Sequence, residues 1–283
     1  MKNVLLESTG YRVKTLEELK QYVPSAFAET YHPERSKHYS FVPTNELVQA
    51  LLNLGWELFS GKQNGSSVHS RHIVRFTNPD LGYMDLRSDK VKPQIIIDNS
   101  HNGGSSAQLH MGLFRLVCTN GLVVSMPGLY TNVKFRHMGV NQEEIRKLLE
   151  VVAEQYKLVG SHIGEMQNVI LNSEKKADFV VRAVAQRDPG LFIKDDGTID
   201  TKSILATTNL GQIVEPLRGE DKGNDLWTIF NVVQERLVKG EYTRISRGGE
   251  GRSGKARGIN HATRNIEFNK GLWEIAESYF PQS

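Results

Sequence analysis

The chain has 283 residues, with 39% hydrophobic and 24% charged side chains, a net charge of +3 and a single cysteine. This composition is typical of a folded globular protein with one large or two modest domains, and it excludes global disorder, an internal disulfide and any metal site built from several cysteines. Because no apolar run reaches the roughly 18 residues of a membrane-spanning helix and Glu7 interrupts the apolar N-terminus, we expect no membrane contact and a cytoplasmic location in a bacterial host cell.

The first half of the chain is predicted to be rich in strands. A weak helix is expected at 15–22, and a stronger one follows Pro43, with Thr44 as its cap and Gly55 after its end. Strand patterns then occur at 56–59, 68–76, 94–98 and 107–124, with turn signals at Asn64-Gly65 and Asn120-Gly121. Helix is the alternative for the last of these segments, whose β-branched residues favour a strand.

A polar loop at 98–106 follows the buried strand 94–98. Its two glycines permit backbone conformations in which several N–H groups face one anion. The candidate ligand or phosphate loop consists of Asn99, Ser100, His101, Gly103, Gly104 and Ser105. The alternative is a polar connection between strands, whose side chains hydrogen-bond to their own backbone.

Helical patterns dominate from Asn141 onwards. Apolar residues recur at three- and four-residue steps from Ile145 to Ile170, which predicts one long amphipathic helix at 141–171. Further helices are expected at 173–186, 225–239 and 265–279. Strands followed by helices indicate an α+β fold with a mostly antiparallel sheet. We therefore expect a β-rich portion, 1–140, and a helical portion, 141–283, of a single α+β domain.

One segment of the helical portion is strongly basic. Between Arg244 and Arg264 lie six basic residues and one acid, so this segment carries +5 and the rest of the chain −2. Five glycines at 244–258 argue against a helix, and we expect a flexible basic loop there. Arginines on such a loop can follow a phosphate backbone without reading bases.

The other polar residues give no motif for catalysis. His69 and His72 are three apart on a predicted strand, so they point to opposite faces, and His101, His110 and His137 could meet only through the fold. The chain contains neither a serine-hydrolase nor a kinase motif. We therefore expect no metal and no cofactor, and the sequence favours a protein that is not an enzyme.

Several short stretches, from about residue 39 to 274, carry a resemblance. They are Val42-Pro43-Thr44 with Glu46-Leu47-Val48 and Gly55-Trp56; Asn99-Ser100-His101; 112–118 with Asn120-Gly121-Leu122; Arg136-His137; and, more weakly, Asn231, Glu235, Lys239-Gly240 and Leu272-Trp273. With these, the chain resembles a phage- and plasmid-related family of unknown function, typified by the prophage YfjQ and YafZ proteins. The family's central loop often has Asp where this chain has Asn102. The resemblance implies a mobile genetic element and supplies no reaction.

The leading hypothesis is a nucleic-acid-binding protein of a phage or plasmid that binds or anneals single-stranded DNA in replication or recombination, as a homo-oligomer. The expected phosphate contacts are Arg115, Arg136, Arg244, Arg247, Arg252, Lys255 and Arg257. The alternative is an anti-defence or anti-restriction protein that binds a host defence protein or a nucleotide signal. A hydrolase that uses Asn99, His101 and His137 is a third hypothesis.

Overall fold

The computed structural model describes residues 5–6, 10–34, 41–86, 89–104, 106–116, 121–123, 132–134, 142–245 and 253–281. The chain forms two compact units, Met1–Val159 and Gly160–Ser283. The first contains an antiparallel sheet and the second is mostly helical, which confirms the α+β prediction. The boundary between the units lies after Val159 and not after position 140, where the sequence predicted the end of the β-rich portion. The long helix therefore begins within the first unit.

Nine strands, as far as the structure describes the first unit, form one sheet. They are β1 (Leu5–Leu6), β2 (Gly10–Arg12), β3 (Glu57–Gln63), β4 (His72–Thr77), β5 (Met84–Leu86), β6 (Asp89–Asn99), β7 (Gln108–Arg115), β8 (Gly121–Val123) and β9 (Asn132–Lys134). Their order is β1-β2-β3-β4-β6-β7-β8, with β5 also paired to β6 and β9 to β7. Each pairing is antiparallel.

The predicted strands are present, with shifted bounds. A turn precedes β4, so this strand begins at His72, after the position predicted from its apolar pattern. The turn at Asn64-Gly65 follows β3, and Gly65 has a φ of 87°, a conformation that glycine adopts without strain. The segment predicted at 107–124 contains β7 and β8, which confirms strand over helix.

Two helices belong to the N-terminal part of the first unit, α1 (Leu16–Tyr22) and α2 (Thr44–Asn53). Thr15 caps α1, since its hydroxyl accepts a hydrogen bond from the Glu18 backbone N–H. The predicted cap of α2 is wrong by one residue. Pro43 occupies the cap position without a side-chain bond, and Thr44 is the first helical residue, whose hydroxyl makes tertiary contacts.

The long helix α3 (Gln142–Asn168) confirms the prediction at 141–171. The buried hydrophobic side chains described in this helix are Ile145, Leu149, Val152, Tyr156, Val159, Ile163 and Met166. The Tyr156 hydroxyl donates to the Gln94 carbonyl and lies 3.4 Å from the Gly112 backbone nitrogen. Burial raises the pKa of this phenol, which is therefore a neutral donor at physiological pH.

The second unit is built from helices. They are α4 (Ser173–Arg187), α5 (Pro189–Phe192), α6 (Thr201–Thr207), α7 (Leu210–Val214), α8 (Leu226–Lys239) and α9 (Ala262–Glu277). In α8, 12 of the 14 residues are buried. The rings of Trp227 and Phe230 stack with their centres 5.9 Å apart, and Phe230 meets Trp273 of α9 edge to face. No helix in the described parts of the chain is both long and apolar enough to cross a membrane.

A buried carboxylate organises the end of α8. Glu235 is 1% exposed and accepts hydrogen bonds from Arg218 Nη2 at 2.6 Å and Lys239 Nζ at 2.8 Å. The helix ends at Gly240, which has a φ of 74°. A Cβ at Gly240 would lie 2.5 Å from the Ala256 carbonyl oxygen, so only glycine allows this close approach.

Candidate functional site

The basic segment is more regular at its ends than the sequence predicts. Strands β10 (Thr243–Ile245) and β11 (Ser253–Lys255) pair antiparallel, with Ile245 opposite Ser253, so these parts form a hairpin and the prediction of a loop there is corrected. Residues 246–252 lie outside the described part of the chain. Lys255 and Arg257 are exposed, and the Arg257 carbonyl accepts a hydrogen bond from the Arg187 guanidinium.

Three arginines converge on the carboxylate of Asp188, which follows the end of α4. Arg187 Nη1 lies 2.6 Å from Oδ2, Arg244 Nη1 lies 2.9 Å from the same oxygen, and Arg264 Nη2 binds Oδ1. One negative charge therefore meets three positive charges. We call Arg187, Asp188, Arg244 and Arg264 the arginine cluster; it carries a net charge of +2.

Aromatic rings support the arginine cluster from two sides. The Arg187 guanidinium lies 5.5 Å from the centre of the Tyr242 ring, and that of Arg244 lies 5.2 Å from the Phe192 ring. Such contacts favour the charged guanidinium and hold its plane in place. Burial raises the pKa of Tyr242, so its hydroxyl stays protonated beside the arginines.

A cavity of about 400 Å³ opens beside the cluster. It is lined by Gln186, Arg187, Pro189, His261, Thr263, Arg264, Glu267 and Phe268. The start of α9 faces this cavity, and the first N–H groups of a helix have no partner within the helix, which favours an anion there. The Arg264 side chain is 51% exposed, so a ligand in the cavity could reach it.

The predicted phosphate contacts do not all belong to this surface. Arg244, Lys255 and Arg257 lie in or next to the hairpin, whereas Arg115 on β7 is only 2% exposed, in the other unit. Arg136, Arg247 and Arg252 lie outside the described residues. Sequence reasoning counted the charge of Arg264 but did not select it, and it missed Arg187, which lies in a helix outside the basic segment.

The candidate loop at 99–105 contains a buried and an exposed part. Asn99, Ser100 and His101 are at most 2% exposed, whereas 102–104 are exposed, and Ser105 lies outside the described residues. Three of its backbone N–H groups have partners within the first unit. The N–H of Ser100 binds Asn99 Oδ1, that of His101 binds the His69 carbonyl, and that of Gly104 binds Asn102 Oδ1. This pattern favours a self-satisfied connection over an anion nest.

Two buried histidines meet at Thr44. Its Oγ1 lies 2.8 Å from His72 Nε2 and 3.3 Å from His101 Nε2, and it accepts a hydrogen bond from Asn99 Nδ2. Because His72 Nδ1 faces the Ser70 carbonyl at 2.9 Å, Nδ1 carries the proton and Nε2 accepts from the Thr44 hydroxyl. Burial lowers the pKa of His72 to about 4 and, with the neighbouring histidines, that of His101 to about 3. Both are therefore neutral structural groups at pH 7.

Metal ligands do not come together in the part of the chain that is described, where no group of three or more His, Cys, Asp or Glu residues could hold an ion. His137, in the predicted hydrolase set, lies outside that part. Two residues in the stretches that carry the family resemblance have structural roles instead. Asn99 donates a hydrogen bond to the Val42 carbonyl, and Glu235 forms ion pairs with Arg218 and Lys239.

The comparisons with known proteins agree with the resemblance to the YfjQ and YafZ proteins. The family model described as Domain of unknown function (DUF932) matches residues 31–273. UPF0380 protein YafZ of Escherichia coli (strain K12) is 33% identical and UPF0380 protein YfjQ of the same strain is 32% identical, each over 278 residues that cover 96% of this chain and 93% of the relative. No solved structure matches the chain. Because the family model and both relatives span most of its length, this chain belongs to the family described as Domain of unknown function (DUF932).

Proposed function

We propose that this protein binds single-stranded nucleic acid through the basic hairpin and the arginine cluster of its second unit. The observation that carries the proposal is the convergence of three guanidinium groups on Asp188, which leaves two positive charges without a carboxylate at that point. Phosphate groups of a nucleic acid would supply the missing negative charge, and guanidinium groups bind phosphate with two parallel hydrogen bonds.

The exposed cations extend this surface. Arg264 borders the cavity at the start of α9, and Lys255 and Arg257 follow on the hairpin side. A phosphate in the cavity would meet Arg264 and the first N–H groups of α9, which have no partner within the helix, and neighbouring phosphates would meet Lys255 and Arg257. These contacts reach the backbone and not the base edges, so we expect little sequence preference.

The family resemblance supports the biological setting. We propose that the protein serves a phage or plasmid, in replication or recombination, where a sequence-independent protein that binds and anneals single strands as a homo-oligomer is needed. Binding to a host defence protein is the alternative function, and it predicts no affinity for nucleic acid.

The salt dependence of binding tests the proposal. Fluorescence anisotropy with a labelled single-stranded oligonucleotide gives the binding constant between low and moderate salt. If about four phosphates are neutralised, log K should fall with log salt with a slope of roughly −3. The triple variant Lys255→Ser, Arg257→Ser, Arg264→Ser should reduce that slope by about 2, since each lost phosphate contact contributes about 0.7.

The matched control removes the same charge elsewhere on the second unit. Lys194, Lys202 and Lys222 are all exposed, so their triple replacement by serine lowers the net charge equally. This variant should keep the wild-type slope. If the wild type shows no binding at low salt, the proposed function is wrong and the host-protein alternative takes its place; if both triple variants bind alike, the nucleic-acid surface lies elsewhere.

A further inference from the structure

A row of polar side chains crosses three strands of the sheet in the first unit. Arg12 on β2 is paired with Ser60 on β3, and Ser60 is paired with Arg75 on β4. Residues directly opposite each other on antiparallel strands point to the same face, so these three side chains are neighbours. Gln94 on β6 extends the row, because its Oε1 accepts a hydrogen bond from Arg75 Nη1 at 3.2 Å.

Three side-chain atoms in this row are buried without a partner. Ser60 and Gln94 are 0% exposed and Arg75 is 3% exposed. Ser60 Oγ, Arg75 Nε and Gln94 Nε2 have no hydrogen-bond partner among the described residues. All three can donate a hydrogen bond. Buried donors are rarely left unsatisfied in a folded protein, so their concentration at one place indicates an acceptor that protein groups do not supply.

The same place carries positive charge without a carboxylate. Burial lowers the pKa of Arg75 to about 10, which still leaves the guanidinium charged at pH 7. Lys62 lies two residues from Ser60 on the same face and is half-buried, and burial and the Arg75 charge lower its pKa. Neither cation forms an ion pair within the described part of the chain. Two neighbouring cations of this kind are unfavourable unless an anion joins them.

Two acidic residues of this sheet region, Asp98 and Glu57, do not fill that role. Asp98 is on the same face, opposite Ile73, but Arg71 Nε binds its carboxylate at 2.8 Å and His110 Nε2 lies 3.6 Å from it. Glu57, at the start of β3, is exposed. Within the described part of the chain, the cations on Lys62 and Arg75 therefore remain available to a ligand.

The geometry points to a binding site for a phosphate-type oxyanion formed by Ser60, Lys62, Arg75 and Gln94. Two cations match a doubly charged tetrahedral anion better than a singly charged carboxylate, and the hydroxyl, guanidinium and amide donors would bind its oxygens. Lys62 is half-buried and therefore reaches solvent, whereas the guanidinium of exposed Arg12 lies 4.4 Å from the centre of the Phe59 ring. The ligand is either free phosphate or the phosphate group of a nucleotide. This site lies in the first unit and does not depend on the proposed function of the second.

Isothermal titration calorimetry on the full chain tests the site, with sodium phosphate and adenosine monophosphate as ligands and sodium chloride at equal ionic strength as the blank. Inorganic phosphate should bind saturably with one site per chain. Lys62→Gln should weaken this binding at least tenfold and Ser60→Ala several-fold. Lys20→Gln is the matched control, because Lys20 is an exposed lysine on α1 whose loss changes the net charge equally.

Thermal unfolding gives a second readout that does not require Arg75 to be changed. Phosphate should raise the melting temperature of the wild type and raise that of Ser60→Ala less. Adenosine monophosphate that competes with phosphate would identify a nucleotide site, and phosphate binding alone a site for the free anion. The proposal is overturned if neither ligand binds above the chloride blank, since water then satisfies the three donors. It is also overturned if Lys62→Gln and Lys20→Gln bind phosphate equally, since the anion then binds elsewhere.

Discussion

Arg244 Nη1 lies 2.9 Å from Asp188 Oδ2, which ties the basic hairpin by an ion pair to a residue 56 positions earlier in the chain. Because Asp188 is 7% exposed and also binds Arg187 and Arg264, its removal leaves three guanidinium groups facing one another. We expect Asp188→Asn to destabilise the protein by about 3 kcal/mol, the usual cost of breaking a buried ion pair. Urea denaturation measures this loss.

The control for Asp188 is Glu174→Gln, which removes an exposed carboxylate from the first turn of α4, the helix that ends before Asp188. Its cost should stay within about 0.3–1 kcal/mol, the usual contribution of an acidic residue near a helix N-terminus. Equal losses for the two variants would show that the arginine cluster does not depend on its carboxylate.

Acid should weaken the first unit through its buried histidines. The pKa of His72 is about 4 and that of His101 about 3 in the folded chain, below the value near 6.5 of an unfolded histidine. The unfolded chain therefore takes up protons first as the pH falls, so stability is intact above about 6.5 and declines towards the folded values. At pH 5.5 each histidine should cost about 1.4 kcal/mol relative to neutral pH.

The variant His101→Phe separates this effect from general acid sensitivity. A phenyl ring can keep the contact with Phe41, whose ring centre lies 4.8 Å from that of His101, but it cannot titrate. Denaturation at pH 7.5 and pH 5.5 should give a smaller difference for the variant than for the wild type. Identical differences would place the pH sensitivity elsewhere.

Gly240 should tolerate no side chain. Its φ of 74° and the predicted 2.5 Å approach of a Cβ to the Ala256 carbonyl combine a backbone penalty with a clash against backbone. We expect Gly240→Ala to cost at least about 2 kcal/mol, since the left-handed conformation alone costs 1–2 kcal/mol. Gly254→Ala, on strand β11, places its Cβ where nothing lies within 4 Å and should be close to neutral. Melting temperatures of the two variants decide this, and a neutral Gly240→Ala would contradict it.

Tyr156 should stabilise the first unit through its hydroxyl. Tyr156→Phe keeps the ring but leaves the Gln94 carbonyl without that donor in a buried place. The expected loss is about 1–2 kcal/mol by chemical denaturation. Tyr83→Phe serves as the control because Tyr83 is 50% exposed, and a comparable loss there would show that the effect does not come from burial.

Periodicity predicted the elements whose local pattern and tertiary packing agree. The apolar steps from Ile145 to Met166 lie within α3 and form its buried stripe, whereas Ile170, the last residue of the pattern, follows the end of the helix and is 65% exposed. The apolar run 94–98 predicted part of β6, which pairs on both sides within the sheet. In both cases the information is carried by residues close together in the sequence.

Contacts between distant residues were beyond prediction from the sequence. A threonine at a helix start usually caps it, but Thr44 binds His72, which is 28 positions away, and no local pattern shows that contact. The glycines at 244–258 favour a loop, yet strand pairing and the Asp188 ion pair order the ends of this segment. The charge count located the basic segment but not the carboxylate on which its arginines converge.

The ion pairs of Glu235 limit which sequences can share this fold. An apolar residue at 235 would remove the Glu235 carboxylate from both Arg218 and Lys239 and leave Asp221 as the remaining carboxylate at Arg218, whereas replacing Arg218, Asp221, Glu235 and Lys239 together by apolar residues would remove these charges from the site. These four positions are therefore expected to change together in functional relatives. Such joint substitution would allow a relative whose α8 has a very different sequence to keep the same turn at Gly240. It would also keep the same hairpin.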